Sequence, residues 1–165
     1  MTTGEYRFAL EPVDASYFDT APLRWRFPME LPVSADEVWR AITGKRPLTW
    51  NRALSDIEFE GEPPYGVGAR RRVQVLRLMR LREYFFRWDD DRRLYSFYVS
   101  SATMPVFASF AEDYVVDETP GGCRFTWTFA ATPKRGLSGV MRAGTPLNNA
   151  FFNSFEKDTR KHFGG

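Results

Sequence analysis

Residues 23–31 read LRWRFPMEL, in which Leu23, Trp25 and Phe27 alternate with Arg24 and Arg26. A period of two marks a strand with one buried face, and Pro28 and Pro32 place it at a sheet edge or end it in a bulge. The period then lengthens. Ser34 stands where it can cap a helix, Glu37 can complete the capping box, and Val38, Ala41 and Ile42 form a buried stripe that stops at Gly44. Pro47 and Leu48-Thr49-Trp50 follow as a second short helix or turn.

From residue 53 to 132 alternation returns. Strands are expected near residues 57–60, 72–76, 82–88, 94–100, 107–116 and 124–130, separated by turn residues such as Glu62-Pro63-Pro64, Asp89-Asp90-Asp91 and Thr119-Pro120-Gly121-Gly122. Hairpin spacing of this kind predicts an antiparallel sheet and an α+β fold rather than βαβ units. Thr145-Pro146 opens a last helix over 146–163, with Leu147, Phe151, Phe155 and Thr159 on one face, a Glu156–Arg160 pair on the other, and Gly164 at its end. Residues 1–22 show no period but carry Tyr6, Phe8, Tyr17 and Phe18, which predicts an N-terminal arm laid on the surface of a domain spanning 23–165.

Four stretches in this order are ADEVWRAITG (35–44), YGVGARRRV (65–73), EYFFRWDDDRRLYSF (83–97) and GGCRFTWTF (121–129). With the element order they resemble the SRPBCC superfamily, which includes the START lipid-transfer domains, the birch-pollen-allergen group and the polyketide cyclase/dehydrase-like branch. The resemblance spans about residues 23–163. It implies a helix-grip fold: a seven-stranded curved antiparallel sheet around the long C-terminal helix, two short helices between the first and second strands, and an apolar pocket between sheet and helix. The function it implies is binding of a small hydrophobic or aromatic molecule, lipid- or polyketide-like. The alternatives are a cyclase or aromatase and a co-chaperone-like interaction module.

Aromatic residues make up 16% of the chain, a load that requires either a very dense core or a cavity walled with rings. The net charge of +2 is scattered, which argues against a nucleic-acid partner. Cys123 is alone, so neither a disulfide nor a zinc spacing is available; no metal or cofactor is expected, and a reducing cytoplasm is the expected location. The opening MTTGEYRF lacks signal-peptide character, and no apolar run approaches the roughly 18 residues of a membrane span, so integral membrane association is not expected. The pattern fixes neither a ligand's identity nor an oligomeric state.

Phe125, Trp127 and Phe129 share the face expected to meet the helix. In 107–116 the alternation that turns Phe110, Tyr114 and Val116 inward carries Glu112 with them, and an inward carboxyl must be paired, wetted or protonated. Its alternatives are a one-residue slip into solvent or an ordinary ion pair with an arginine. In an enzyme, Glu112 or Tyr114 would serve as general acid or base. Over 82–88 either Tyr84, Phe86 and Trp88 or Glu83, Phe85 and Arg87 face inward; the second choice puts Glu83 and Arg87 beside Glu112. Tyr95, Phe97 and Val99 are the inward set of the next strand. Arg71 points opposite to Arg70 and Arg72, with a solvated sheet face expected there, and His162, the one histidine, lies in the last helical turn without a metal partner. The residues expected around a ligand are Trp50, Phe85, Phe97, Phe110, Glu112, Tyr114, Trp127, Phe151 and Phe155.

Overall fold

A computed structural model describes residues 5–165. In chain order the elements are β1 (Phe8–Ala9), α1 (Tyr17–Thr20), β2 (Leu23–Leu31), α2 (Ala35–Thr43), β3 (Leu54–Phe59), β4 (Arg70–Val75), β5 (Met79–Asp89), β6 (Leu94–Ala102), β7 (Phe107–Thr119), β8 (Gly122–Pro133), α3 (Ser138–Ala143) and α4 (Thr145–Phe163). Seven strands form one curled antiparallel sheet in the order β2-β8-β7-β6-β5-β4-β3, and α4 lies in its concave face as in a helix grip. No helix among the described residues is long and apolar enough to cross a membrane.

The inward face of the sheet is a continuous layer of rings. Phe125, Trp127 and Phe129 of β8 are wholly buried, and Trp127 and Phe129 each meet Phe155 of α4 at 5.2 Å between centroids. Trp25 of β2 stacks on Phe152 of α4 at 4.0 Å. The buried stripe of α4 is therefore Phe152, Phe155, Thr159 and Phe163. Leu147, expected on that stripe, is 76% exposed; the neighbouring Asn148, four positions before Phe152, lines the space between sheet and helix instead.

Ser34 caps α2 as the sequence predicts, its Oγ accepting from the Glu37 amide at 3.1 Å. Only α2 lies between β2 and β3. Leu48 takes a positive φ of 60°, which a helix does not admit, so residues 47–53 form turns instead of a second helix. Those turns clamp α4: Trp50 Nε1 donates to Thr159 Oγ1 at 3.1 Å, and Asp158 accepts from the Arg52 amide at 3.0 Å and from its Nε at 3.1 Å.

The N-terminal arm is tied into the sheet as well as laid over it: most of residues 5–22 stay exposed or half-exposed, and Leu10 and Ala21 are buried. The β6–β7 ladder ends at Tyr98↔Ala111, and beyond it β1 pairs with Ser101 and Ala102 of β6. The Leu10 amide then donates to Ser100 O at 3.1 Å, and the Glu11 amide to Ala108 O at 2.9 Å. The arm thus fills a gap where two strands diverge, which satisfies backbone groups that would otherwise form an open edge.

Candidate functional site

A cavity of about 210 Å³ lies between the sheet and α4. Its walls are apolar: Ile57, Val73, Leu81 and Val99 from the sheet, Phe110 and Phe129 from β7 and β8, and Phe151, Phe152 and Phe155 from the helix. Leu10 closes one side from the arm, and Met104, Val106 and Met141 line the end near α3. Five polar side chains interrupt this surface: Arg71, Glu83, Glu112 and Tyr114 from the sheet, and Asn148 from α4.

Glu112 reaches the cavity because β7 alternates without a bulge from Ser109 to Thr119. Its cross-strand neighbours are Phe97 and Phe129. Oε2 accepts from Tyr114 Oη at 2.8 Å and from Trp127 Nε1 at 2.9 Å, while Oε1 has no protein partner among the described residues. With two donors directed at Oε2, which a carbonyl oxygen with two lone pairs can satisfy together, a proton on this carboxyl is best accommodated on Oε1. Burial, reinforced by the negative charge of Glu83, pushes its pKa up to about 8, against the smaller opposing effects of the two donors and Arg71. At neutral pH Glu112 is mostly a neutral acid with its hydroxyl left for a ligand.

Arg71 is 1% exposed, contrary to the solvated face expected of it. Its Nε donates to Glu83 Oε2 at 2.5 Å, a further nitrogen lies 3.4 Å from Tyr95 Oη, and its guanidinium sits over the rings of Phe59, Phe85 and Phe97. Tyr95 in turn donates to Ile42 O at 3.1 Å. Burial works against the charged guanidinium, but Glu83 and the neighbouring tyrosines outweigh it, so Arg71 stays charged. The pair is internally neutral and leaves Glu112 without a cation of its own.

The open orientation of residues 82–88 resolves into neither simple alternative. Glu83 and Phe85 face inward, but β5 carries an extra residue between Phe85↔Phe97 and Arg87↔Ser96, so the alternation reverses after Phe86. Trp88 consequently joins Phe59, Phe85 and Tyr95 in the core. Arg87 faces outward instead, donating to Ser96 Oγ at 2.9 Å and Asp113 Oδ1 at 2.6 Å. Tyr84 and Phe86 pack on Tyr98 on the outer face, where Phe18 of α1 stacks on Phe86.

Of the residues expected around a ligand, Phe110, Glu112, Tyr114, Phe151 and Phe155 meet at the cavity. Phe85, Phe97 and Trp127 are core residues behind its wall, and Trp50 stacks on His162 at 4.7 Å, away from it. Sequence reasoning missed Phe152, which is adjacent to the expected stripe, and the Arg71–Glu83 pair, whose signal was the inward register of both strands. Among the described residues no three His, Cys, Asp or Glu side chains gather into a metal set.

Residues 22–155 match the family described as "Polyketide cyclase / dehydrase and lipid transport". An uncharacterized protein of Mycobacterium tuberculosis is 29% identical over 161 residues, covering 94% of this chain and 93% of that protein. Among solved structures, a Thermus thermophilus protein superposes with a TM-score of 0.66 at 17% identity, covering 84% of this chain and 95% of the other. A Bacillus thuringiensis protein gives 0.65 at 18% identity over 87% and 100%. Ara h 8.0201 gives 0.54 at 14% identity over 82% and 95%.

Proposed function

The chain belongs to the polyketide cyclase/dehydrase and lipid transport family of the SRPBCC superfamily, and we propose that it binds a small neutral ring-bearing molecule whose carbonyl accepts a hydrogen bond from Glu112. One observation carries this reading: in an otherwise apolar cavity, a carboxyl has one oxygen held by Tyr114 and Trp127 and the other left without a protein partner. Apolar walls with a few placed polar groups are the usual form of a small-molecule site. The cavity exceeds the roughly 150 Å³ that accepts benzene, so one or two fused rings are the matching size. Because Arg71 is neutralised by Glu83, a ligand carboxylate would find no free cation.

Fluorescence titration with a neutral naphthyl ketone, set beside its ethylnaphthalene parent, tests this. One hydrogen bond worth about 1 kcal/mol predicts roughly fivefold tighter binding of the ketone. Glu112→Gln, whose amide can keep the acceptor and supply a donor, should retain that preference, and Glu112→Leu should lose it. Equal binding of both compounds by the parent protein would overturn the assignment to Glu112, and no binding of either would overturn the cavity as a ligand site.

The same geometry favours a second reading. An acid with a pKa near 8 and a free hydroxyl in an apolar cavity is suited to protonating a bound carbonyl, which would make the protein an enzyme of cyclase type. Glu112→Gln separates the two: carriage survives it and chemistry does not. The interaction-module alternative needed an arm that lifts to expose apolar surface, whereas residues 10 and 11 are hydrogen-bonded into the sheet.

A further inference from the structure

We propose that the mouth of the cavity is a docking face for an anionic lipid surface. Three segments build that mouth: the β4–β5 turn at 76–80, the β6–β7 loop at 103–107, and residues 134–148 around α3. They are contiguous, since the Arg80 amide donates to Thr103 Oγ1 at 3.0 Å and the Lys134 amide to Val106 O at 3.0 Å. Each also supplies cavity lining, with Leu76 and Met79 from the first, Met104 and Val106 from the second, and Met141 and Asn148 from the third. Leu76 both lines the cavity and is 60% exposed, so the cavity reaches the surface here.

Apolar exposure is concentrated at this rim. Leu76, Leu78, Val140 and Leu147 are 60–76% exposed, and Val67 is the one other large apolar side chain so exposed among the described residues. The β4–β5 turn adds a local sign of selection for something other than folding. Leu76 and Arg77 hold its centre with φ of 52° and 54°, a conformation that favours Asn or Gly and is costly for these residues. Leu78, which follows them in the turn at 68% exposure and outside the cavity lining, gains nothing from the core.

Charge identifies the partner. The three segments contain Arg77, Arg80, Lys134, Arg135 and Arg142 and no Asp or Glu. Arg80 pairs with Glu5, and the other four have no carboxylate partner among the described residues. A second copy of this chain docking by two-fold symmetry would set these cations against one another. Anionic headgroups complement them, and apolar side chains on separate tips, flanked by long basic ones, match the depth and chemistry of a headgroup layer. A ligand soluble in the bilayer would then enter the cavity without crossing water; that consequence rests on the binding reading above, but docking itself does not.

Vesicle flotation tests the proposal with phosphatidylcholine alone and with an equal mixture of phosphatidylcholine and phosphatidylglycerol. The protein should float with the mixed vesicles, remain behind with the neutral ones, and be released by added salt. The double variant Arg77→Gln, Arg142→Gln should bind about 25-fold more weakly, at about fivefold per basic side chain. Leu78→Ser with Leu147→Ser should weaken binding at least about tenfold at unchanged charge. All four positions are exposed and outside the cavity lining, so both double variants should keep the parent's melting temperature and its affinity for the naphthyl ketone. Failure of the parent to float with mixed vesicles, or flotation indifferent to both double variants, overturns the proposal. So does a concentration-dependent dimer that Leu78→Ser with Leu147→Ser abolishes while vesicles are ignored, which would make this a self-association face.

Discussion

A carboxyl walled in by rings keeps its proton to a higher pH than one in water, because ionising there forfeits hydration. Glu112 has a pKa near 8 in the folded protein against an ordinary value of 4.5. Between those values the native state holds a proton that the unfolded chain has released, so stability should fall as pH rises from about 4.5 to about 8. At about 1.4 kcal/mol per pKa unit the loss amounts to a few kcal/mol. Urea denaturation across this range should show Glu112→Gln with a flatter profile and greater stability than the parent above pH 8; superimposable profiles would place Glu112 in water. The pair beside it makes a different prediction. Arg71→Met strands a buried carboxylate and should cost about 3–5 kcal/mol, whereas adding Glu83→Gln to it should recover most of that loss. Urea melts of the two variants check it, and additive losses would mean the side chains do not act as a pair.

At the scale of elements, α4 is held by rings on one stripe and by the Trp50–Thr159 and Arg52–Asp158 clamps. Phe155→Ala should cost about 3–5 kcal/mol, since it removes a ring packed on Trp127 and Phe129. Phe151 is half-buried at the cavity, so Phe151→Ala should cost less, and saturating naphthyl ketone should restore part of its melting temperature. Equal losses in thermal melts would mean that Phe151 packs like core. What the sequence disclosed at this scale follows from how long a period persists. In β7 and β8 the alternation runs unbroken past Glu112 and Trp127, so both inward faces were readable. In β5 one extra residue reverses the faces midway, and rings on both sides erase the contrast that alternation needs. The turn at Leu48 and the insertion of the arm depend on a positive φ and on a gap between strands remote in sequence, neither of which a hydrophobic pattern records.

Across the whole molecule the cavity, its acid and its mouth are three consequences of one curled sheet. Curling divides the inner rings between a packed region, where Trp127 meets Phe155 and Phe125 stacks beside Trp127, and the cavity wall, to which Phe110, Phe129 and Phe151 contribute. Aromatic content alone could not divide the rings between core and cavity; that required the register of five hairpins, the β2–β8 pairing and the path of the arm. Composition therefore left a dense core and a ring-walled cavity both open, while the neutral acid proposed to orient a ligand depends on Trp127 and Tyr114 meeting one oxygen. The most direct measurement of that acid is infrared difference spectroscopy of the protein at neutral pH with and without the naphthyl ketone, repeated on Glu112→Gln. A protonated carboxyl C=O band should be present in the parent, absent from the variant, and displaced when the ketone binds. A parent with no such band, or with a band that ignores the ketone, would contradict a neutral Glu112 donating into the cavity.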